Sequence, residues 1–131
     1  MFPHFHLRFS GVLYNAQDML VFRPEQPATS RLYVCSPSLY RLQYENISIR
    51  SHDGTQIHVQ FIRQPPHLAA TASTFVWFHG NAGNIGHRLP NALLVYNCCN
   101  VNLLLVEYRG YGKSRGRPSE EGFYTRQQVL L

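Results

Sequence analysis

The sequence of 131 residues predicts the α/β fold class on three observations. Two continuous apolar segments, Thr74–Phe78 and 101–106, are typical of strands buried on both faces of a parallel sheet. A helix is predicted between them, starting at Ile85 or His87 and ending at Cys98, and it completes a right-handed strand–helix–strand crossover. A predicted hairpin precedes the crossover, and this order of elements indicates an α/β protein.

A regular alternation of apolar and polar residues predicts that hairpin. Apolar side chains occupy every second position in 47–49 and again in 57–61. Asp53-Gly54 lies between the two stretches and is a strong signal for a tight turn. One face of an antiparallel hairpin with this pattern is expected to be buried.

The segments around these elements are predicted to be less regular. Residues 24–42 are expected to form a loop or extended arm, and 65–73 a connecting loop. Ser119 can cap a last helix, whose amphipathic pattern has no stop signal before the sequence ends, and this indicates truncation. We therefore divide the sequence into an arm and linker at 1–44, a candidate juxtamembrane segment, and the first half of a domain at 45–131.

Charge and cysteine content disfavour several functional classes. The net charge is +5, but the basic residues are spread out and only 109–117 is dense, so nucleic-acid binding is not expected. The three cysteines lack zinc-type spacing, and neither a metal nor a cofactor is expected. Adjacent Cys98 and Cys99 are interpreted as small buried residues at a helix end, in a protein that faces a reducing compartment.

The amino-terminal segment leaves two interpretations open. It lacks the apolar region and cleavage site of a signal peptide, and no stretch approaches the ~20 apolar residues that span a bilayer. Residues 2–14 are nevertheless hydrophobic and aromatic. They could lie at a membrane interface or pack against the domain as an apolar arm.

The most informative segment for function follows the first buried strand. His79, Gly80 and Asn81 are predicted to form a sharp turn there, for which glycine supplies unusual dihedral angles and close backbone approach. The N–H of Asn81 should point into the crevice at the carboxyl end of the sheet, where it could stabilise the oxyanion of an acyl-transfer intermediate. His79 is interpreted as structural rather than as a general base, and His87 as a cap or surface residue of the next helix.

Two longer segments carry a family resemblance. Residues 78–92, Phe-His-Gly-Asn-Ala-Gly-Asn-Ile-Gly-His-Arg-Leu-Pro-Asn-Ala, and 101–114, Val-Asn-Leu-Leu-Leu-Val-Glu-Tyr-Arg-Gly-Tyr-Gly-Lys-Ser, resemble the membrane-anchored α/β-hydrolases. The resemblance implies ester or thioester hydrolysis by a Ser–Asp–His triad, and related members remove fatty acyl groups from protein cysteines. It also implies membrane localisation through an anchor that is not evident before Phe9. The sequence departs from the family at Glu107, where aspartate is usual.

The same resemblance predicts a partial α/β-hydrolase fold, truncated before the nucleophile elbow. It should contain strands one to four, in the spatial order 1-2-4-3, and the first crossover helix. Strand three then forms an open apolar edge, through which aggregation is expected. The triad should lie beyond Leu131, so the chain alone is expected to be inactive on acyl esters and thioesters.

Three other interpretations stay open at this point. The segment 112–116 matches G-x-S-x-G, but it does not lead from a strand directly into a helix, so Ser114 is not favoured as the nucleophile. The glycines of 80–86, with Glu107 after the next strand, resemble a dinucleotide-binding module, although their spacing departs from G-x-G-x-x-G. A non-enzymatic fragment that interacts with membranes or with a partner is the third alternative.

Overall fold

The computed structural model describes residues 16–120 and 122. Residues 16–21 are helical, and 3-10 turns form at Pro37–Tyr40 and Ile85–Arg88. The remaining elements, in chain order, are β1 (Tyr44–Arg50), β2 (Gln56–Ile62), α1 (Pro66–Ala69), β3 (Thr74–Phe78), α2 (Leu89–Cys99) and β4 (Asn102–Val106).

The four strands form one sheet in the order β1-β2-β4-β3. β2 lies antiparallel to both β1 and β4, whereas β3 lies parallel to β4, with Phe78 opposite Val106. The parallel pair connected through α2 is the predicted crossover. The predicted α/β class and the predicted strand order are therefore confirmed.

The main core lies between α2 and one face of the sheet. Side chains from one side of α2 pack against Ile62 of β2 and against Leu103 and Leu105, alternate residues of β4, because successive strand residues point to opposite faces. Full burial of one such aliphatic side chain contributes about 1.5–3 kcal/mol. The buried members of this core are Val34, Ile62, Ile85, Leu89, Ala92, Tyr96, Leu103 and Leu105, and a smaller cluster contains Ile57, Val59 and Val106.

A capping box fixes the chain just before α2. The Asn84 side-chain oxygen accepts the His87 N–H at 3.2 Å, and His87 Nδ1 accepts the Asn84 N–H at 3.1 Å. The predicted capping role of His87 is thus confirmed. The α-helix itself begins at Leu89 rather than at Ile85 or His87, and Pro90 lies in its first turn, where its missing N–H costs no hydrogen bond.

The expectation that β3 is buried on both faces is wrong for this chain. Phe75, Val76 and Phe78 are 45%, 39% and 44% exposed, whereas β4 is buried almost throughout. The physical reason is position: within residues 16–120, β3 pairs with β4 alone and forms the edge of the sheet. An apolar strand at an edge is the arrangement predicted for strand three.

Three local expectations are also corrected. Cys98 and Cys99 are exposed rather than buried, because the last turn of α2 extends past its final core residue, Tyr96. The segment 65–73, expected to be a loop, contains the single helical turn α1. The arm at 24–42 contains a 3-10 turn, which a proline opens and Ser36 caps.

Introducing a lysine at Val76 is expected to reduce self-association of the chain. A charge on the open edge opposes strand pairing between molecules. The monomer fraction, measured by analytical ultracentrifugation, should rise in Val76→Lys. Leu39→Lys adds the same charge at an exposed position outside the sheet, and an equal rise in that variant would show that net charge alone is responsible.

The turn between β1 and β2 holds an acid with a lowered pKa. Asp53 accepts a hydrogen bond from Arg109 and a second from the Thr55 N–H at 3.1 Å, and Gly54 supplies a left-handed φ of 81°. The Arg109 hydrogen bond is the largest cause that lowers the pKa of Asp53 from 3.8 to about 2. Because the folded pKa lies below the unfolded one, the stabilisation is present above pH 3.8 and is lost as the pH falls toward 2.

We expect the Asp53 carboxylate to titrate near pH 2 in an NMR experiment, and to return toward 3.8 in Arg109→Gln. Arg115→Gln removes an equal charge from the same loop and should leave the midpoint unchanged. A wild-type midpoint near 3.8 would contradict the assigned contact.

Parts of two sequence predictions fall outside the described residues. Ser119 Oγ accepts the Gly122 N–H at 3.1 Å, as expected for a cap, but most of the predicted last helix is not described. The aromatic segment 2–14 is not described either. Among the helices of residues 16–120, none combines the length and the apolar character needed to cross a bilayer.

Candidate functional site

The turn after β3 lies at the carboxyl end of that strand, as predicted. The Asn81 side chain donates to the Val21 carbonyl at 2.7 Å, and the Asn81 carbonyl accepts from the Arg23 N–H at 3.1 Å and the Tyr111 hydroxyl at 2.8 Å. The Asn81 N–H, in contrast, has no hydrogen-bond acceptor in the described part of the chain. This amide is therefore a backbone donor of the turn that is left to meet a ligand.

A buried pair of side chains stands behind the turn. His79 Nε2 lies 2.6 Å from Glu107 Oε1, and both side chains are fully inaccessible to solvent. His79 Nδ1 lies 2.7 Å from the Gly80 carbonyl oxygen. The second oxygen of Glu107 accepts the Ile85 N–H at 3.2 Å, so one carboxylate joins both ends of the loop 79–85.

The hydrogen-bond inventory restricts the protons of this pair. A carbonyl oxygen only accepts, so His79 Nδ1 must carry a proton. A proton must also lie between Nε2 and Oε1, either on an imidazolium facing a carboxylate or on a neutral acid facing a neutral ring. The pair is neutral overall in both cases. Because both ring nitrogens are occupied, His79 is not available as a general base.

The loop after β4 surrounds the pair with tyrosines. The rings of Tyr108 and Tyr111 lie 4.4 Å and 5.5 Å from that of His79, measured between centroids. The Tyr111 hydroxyl also accepts the Arg23 N–H at 3.0 Å. Its desolvation on burial raises the pKa of Tyr111, so this hydroxyl keeps its proton and donates to the turn.

Gly112 makes room for the Glu107 carboxylate. Its φ is +44°, and a Cβ at this position would overlap Glu107 Oε2. A glycine therefore allows the backbone to pass directly beside a buried acid. Close approach of the backbone to the Glu107 carboxylate is thus one reason, besides turn formation, for a glycine in the loop after β4.

A cavity of about 500 Å³ opens beside the turn. His79, Gly80 and Asn81 line it together with Tyr108, Tyr111 and several residues of 17–22. This volume is in the usual range for small-molecule sites. The space beside the turn can therefore hold a ligand with an apolar part.

The arm before the sheet contributes to this site, which sequence reasoning missed. Arg23 pairs with Ala82 as in a short parallel strand, and the Gly83 N–H donates to the Gln26 carbonyl at 2.7 Å. Arg88 also donates to the Ala82 carbonyl at 2.7 Å. The arm sequence has no periodic pattern that could have predicted these backbone contacts.

Ser114 lies elsewhere in the loop after β4. It is 2% exposed, its hydroxyl accepts the His58 N–H at 2.9 Å, and its carbonyl accepts from Arg31. Burial, with the nearby charge of Lys113, lowers the pKa of His58, so that side chain stays neutral at neutral pH. Ser114 is not one of the described residues that line the cavity.

Glu107 does not have the surroundings of a ribose ligand. Both its oxygens face protein donors in the interior, and Gly86 packs against the backbone of Cys35 rather than facing an open phosphate site. The dinucleotide-binding alternative needs an accessible acid at the end of the second strand. The surroundings of Glu107 therefore do not favour it.

The strand order, the crossover and the turn at the end of β3 together define the first part of an α/β-hydrolase fold. An esterase structure from Pyrococcus furiosus, Pf2001, matches 83% of this chain and 39% of its own with a TM-score of 0.61 and 17% sequence identity, which shows the fold. No protein-family model matches the sequence.

Two similar sequences extend this finding. Protein bem46 of Schizosaccharomyces pombe is 39% identical over 121 residues, or 92% of this chain and 40% of the relative. The α/β-hydrolase domain-containing protein WAV2 of Arabidopsis thaliana is 36% identical over the same length, or 92% of this chain and 39% of the relative. This chain thus spans about two fifths of these relatives, and both likenesses support an α/β-hydrolase origin.

One further relative bears on localisation. A Saccharomyces cerevisiae protein named as the membrane protein YNL320W is 30% identical over 112 residues, which is 86% of this chain and 38% of the relative. The word membrane in that name describes the Saccharomyces cerevisiae protein.

Proposed function

We propose that this chain supplies the oxyanion-binding part of a serine hydrolase that acts on esters or thioesters. The observation that carries the proposal is the Asn81 N–H, which lacks an acceptor among the described residues and belongs to a residue that lines the cavity. The similarity to bem46 and WAV2, and the esterase-like fold, support the same class of reaction.

In the proposed reaction, a substrate carbonyl oxygen approaches Asn81 as a nucleophile attacks the carbonyl carbon. The N–H then donates to the oxygen as it gains negative charge, and it needs no reorganisation because the turn is already held. The apolar part of the cavity wall, which includes Val21 and Phe22, accepts the acyl part of the substrate. Fatty acyl groups on protein cysteines are the finer substrate class that we propose, by resemblance to the membrane-anchored α/β-hydrolases, related members of which remove such groups.

We also propose that the 131-residue chain alone does not turn over substrate. Covalent hydrolysis needs a nucleophile beside a base, and His79 and Ser114, the two described residues considered for these roles, are committed to buried contacts. The relatives' additional length could supply the nucleophile and the base.

A chimera tests this proposal. The chain replaces the matching two fifths of a relative that reacts with a fluorophosphonate probe, and labelling and hydrolysis of an octanoyl ester and an octanoyl thioester are measured. We expect the chimera to react and the isolated chain to remain at background. An unreactive but folded chimera would contradict the proposal, as would burst kinetics of the isolated chain that Ser114→Ala abolishes and Ser119→Ala retains.

We propose a membrane location for the protein, without assigning an anchor. The name of the yeast relative and the exposed apolar side chains of Met19 and Leu20, in the helical segment 16–21, support it. Cosedimentation with phosphatidylcholine vesicles should decrease in Met19→Ser/Leu20→Ser and stay unchanged in Leu32→Ser, which alters a more distant exposed leucine of the arm. Equal binding of all three proteins would argue against this surface.

A further inference from the structure

The peptide unit between Gly80 and Asn81 is held from one side only. This peptide is trans, so its C=O and N–H point in opposite directions. His79 Nδ1 donates to the Gly80 carbonyl at 2.7 Å, whereas the Asn81 N–H at the other end of the same plane has no acceptor in residues 16–120. Fixing the carbonyl therefore fixes the direction of the amide.

The His79 ring cannot turn away from that carbonyl. Glu107 Oε1 holds Nε2 at 2.6 Å in a fully buried setting, and the Tyr108 and Tyr111 rings pack against the imidazole. The carboxylate is itself fixed through Oε2 by the Ile85 N–H at 3.2 Å. Each group in the series thus has its orientation set by the next one.

We infer that Glu107 is a positioning residue that acts through His79 to aim the Asn81 N–H at the reacting oxygen. The inference rests on the proposed function, which gives the aimed amide its role. The hydrogen bonds that hold the amide do not depend on any reaction. Donation to the Gly80 carbonyl also polarises the peptide, and connected hydrogen bonds of this kind strengthen one another. The Asn81 N–H is expected to be a better donor than an ordinary turn amide.

A purely structural role of the buried pair makes a different prediction. If Glu107 served stability alone, any core substitution that lowers the free energy of unfolding by the same amount would affect ligand binding equally. If it aims the amide, loss of its hydrogen bonds must change binding at Asn81 beyond what destabilisation explains. Leu105→Ala provides the comparison, because Leu105 is a fully buried core residue that does not line the cavity.

The experiment uses the 131-residue chain and octanoate, whose carboxylate stands in for the oxyanion and whose hydrocarbon chain suits the apolar part of the cavity wall. NMR titration follows the Asn81 amide proton. Glu107→Leu removes both hydrogen bonds at similar volume and should weaken octanoate binding at least about tenfold, as for the loss of a hydrogen bond to a charged group. Glu107→Gln keeps atoms that can donate and accept, and should remain within about threefold of wild type.

The outcomes separate this inference from the proposed function. Leu105→Ala should leave octanoate affinity within about twofold, since its effect is on the core. Binding by Glu107→Leu equal to that of wild type would overturn the positioning role. If octanoate binds no form of the chain, the proposed site fails. The NMR chemical shift of the Asn81 amide proton in the unliganded proteins still tests the inference, because it must change in Glu107→Leu and must not change in Leu105→Ala. Gly112→Ala, which displaces the carboxylate without removing it, repeats the test if Glu107→Leu does not fold.

Discussion

Replacing Asn81 with proline is expected to lower kcat of the chimeric hydrolase by about 100-fold to 1000-fold, the usual effect of losing one oxyanion donor. Proline has no N–H, so the substitution removes the proposed donor and little else from the backbone. Steady-state hydrolysis of an octanoyl ester gives kcat and KM separately. KM should change little, because the interaction forms mainly in the transition state.

Asn81→Ala is the matched control. It keeps the N–H and deletes the side chain that donates to the Val21 carbonyl. Its kcat should stay within about tenfold of the parent chimera, because only a supporting hydrogen bond is lost. Full activity of Asn81→Pro, in a protein whose circular dichroism matches the parent, would remove Asn81 from the proposed mechanism.

Replacing Glu107 with alanine is expected to destabilise the chain by about 3–5 kcal/mol, as when one partner of a buried pair is removed. The substitution leaves the Ile85 N–H without its acceptor and His79 buried beside a cavity. Unfolding in urea, followed by tryptophan fluorescence of Trp77, measures the shift in midpoint. The same midpoint should move little in Tyr33→Ala, which truncates an exposed arm residue.

Glu45→Ala is the closest comparison for Glu107→Ala. Glu45 pairs with Arg63 at 3.2 Å, but both side chains are more than half exposed. Such surface pairs contribute about 0–1 kcal/mol, because water competes for both charges. Equal midpoints for the two variants would mean that the buried pair contributes no more than a surface one.

The sheet could be predicted from local patterns. Alternation in β1 and β2, the Asp53-Gly54 turn and the two apolar strands each depend on residues close in sequence. Strand order followed from the family resemblance. The burial of β3 was overestimated, because an apolar strand has the same composition whether one neighbour or two flank it.

The His79–Glu107 pair could have been predicted but was not. Once β3 and β4 are paired in parallel with Phe78 opposite Val106, the residues that follow each strand must be neighbours. A histidine and a glutamate at those two positions are then candidates for a buried pair. The signal in the sequence is that His79 and Glu107 each directly follow the last residue of a strand. This signal becomes informative only after the register of β3 and β4 is known.

The contacts of the arm could not be predicted in this way. Arg23 and Gln26 bind the turn through backbone atoms, which every residue type possesses. Neither side-chain chemistry nor periodicity distinguishes such a segment from an ordinary loop. The role of Tyr111 is similar, since its hydroxyl meets the Arg23 N–H and the Asn81 carbonyl only in the folded chain.

Backbone contacts on both flanks of Ala82 tie the arm to the turn, and this determines where the protein can be shortened. Arg23 bonds to the residue before Ala82, and Gln26 bonds to the residue after it. A recombinant form that starts at β1 would keep every strand and lose these partners. The smallest autonomous unit that preserves the turn must therefore begin upstream of Arg23, well before the first residue of the sheet.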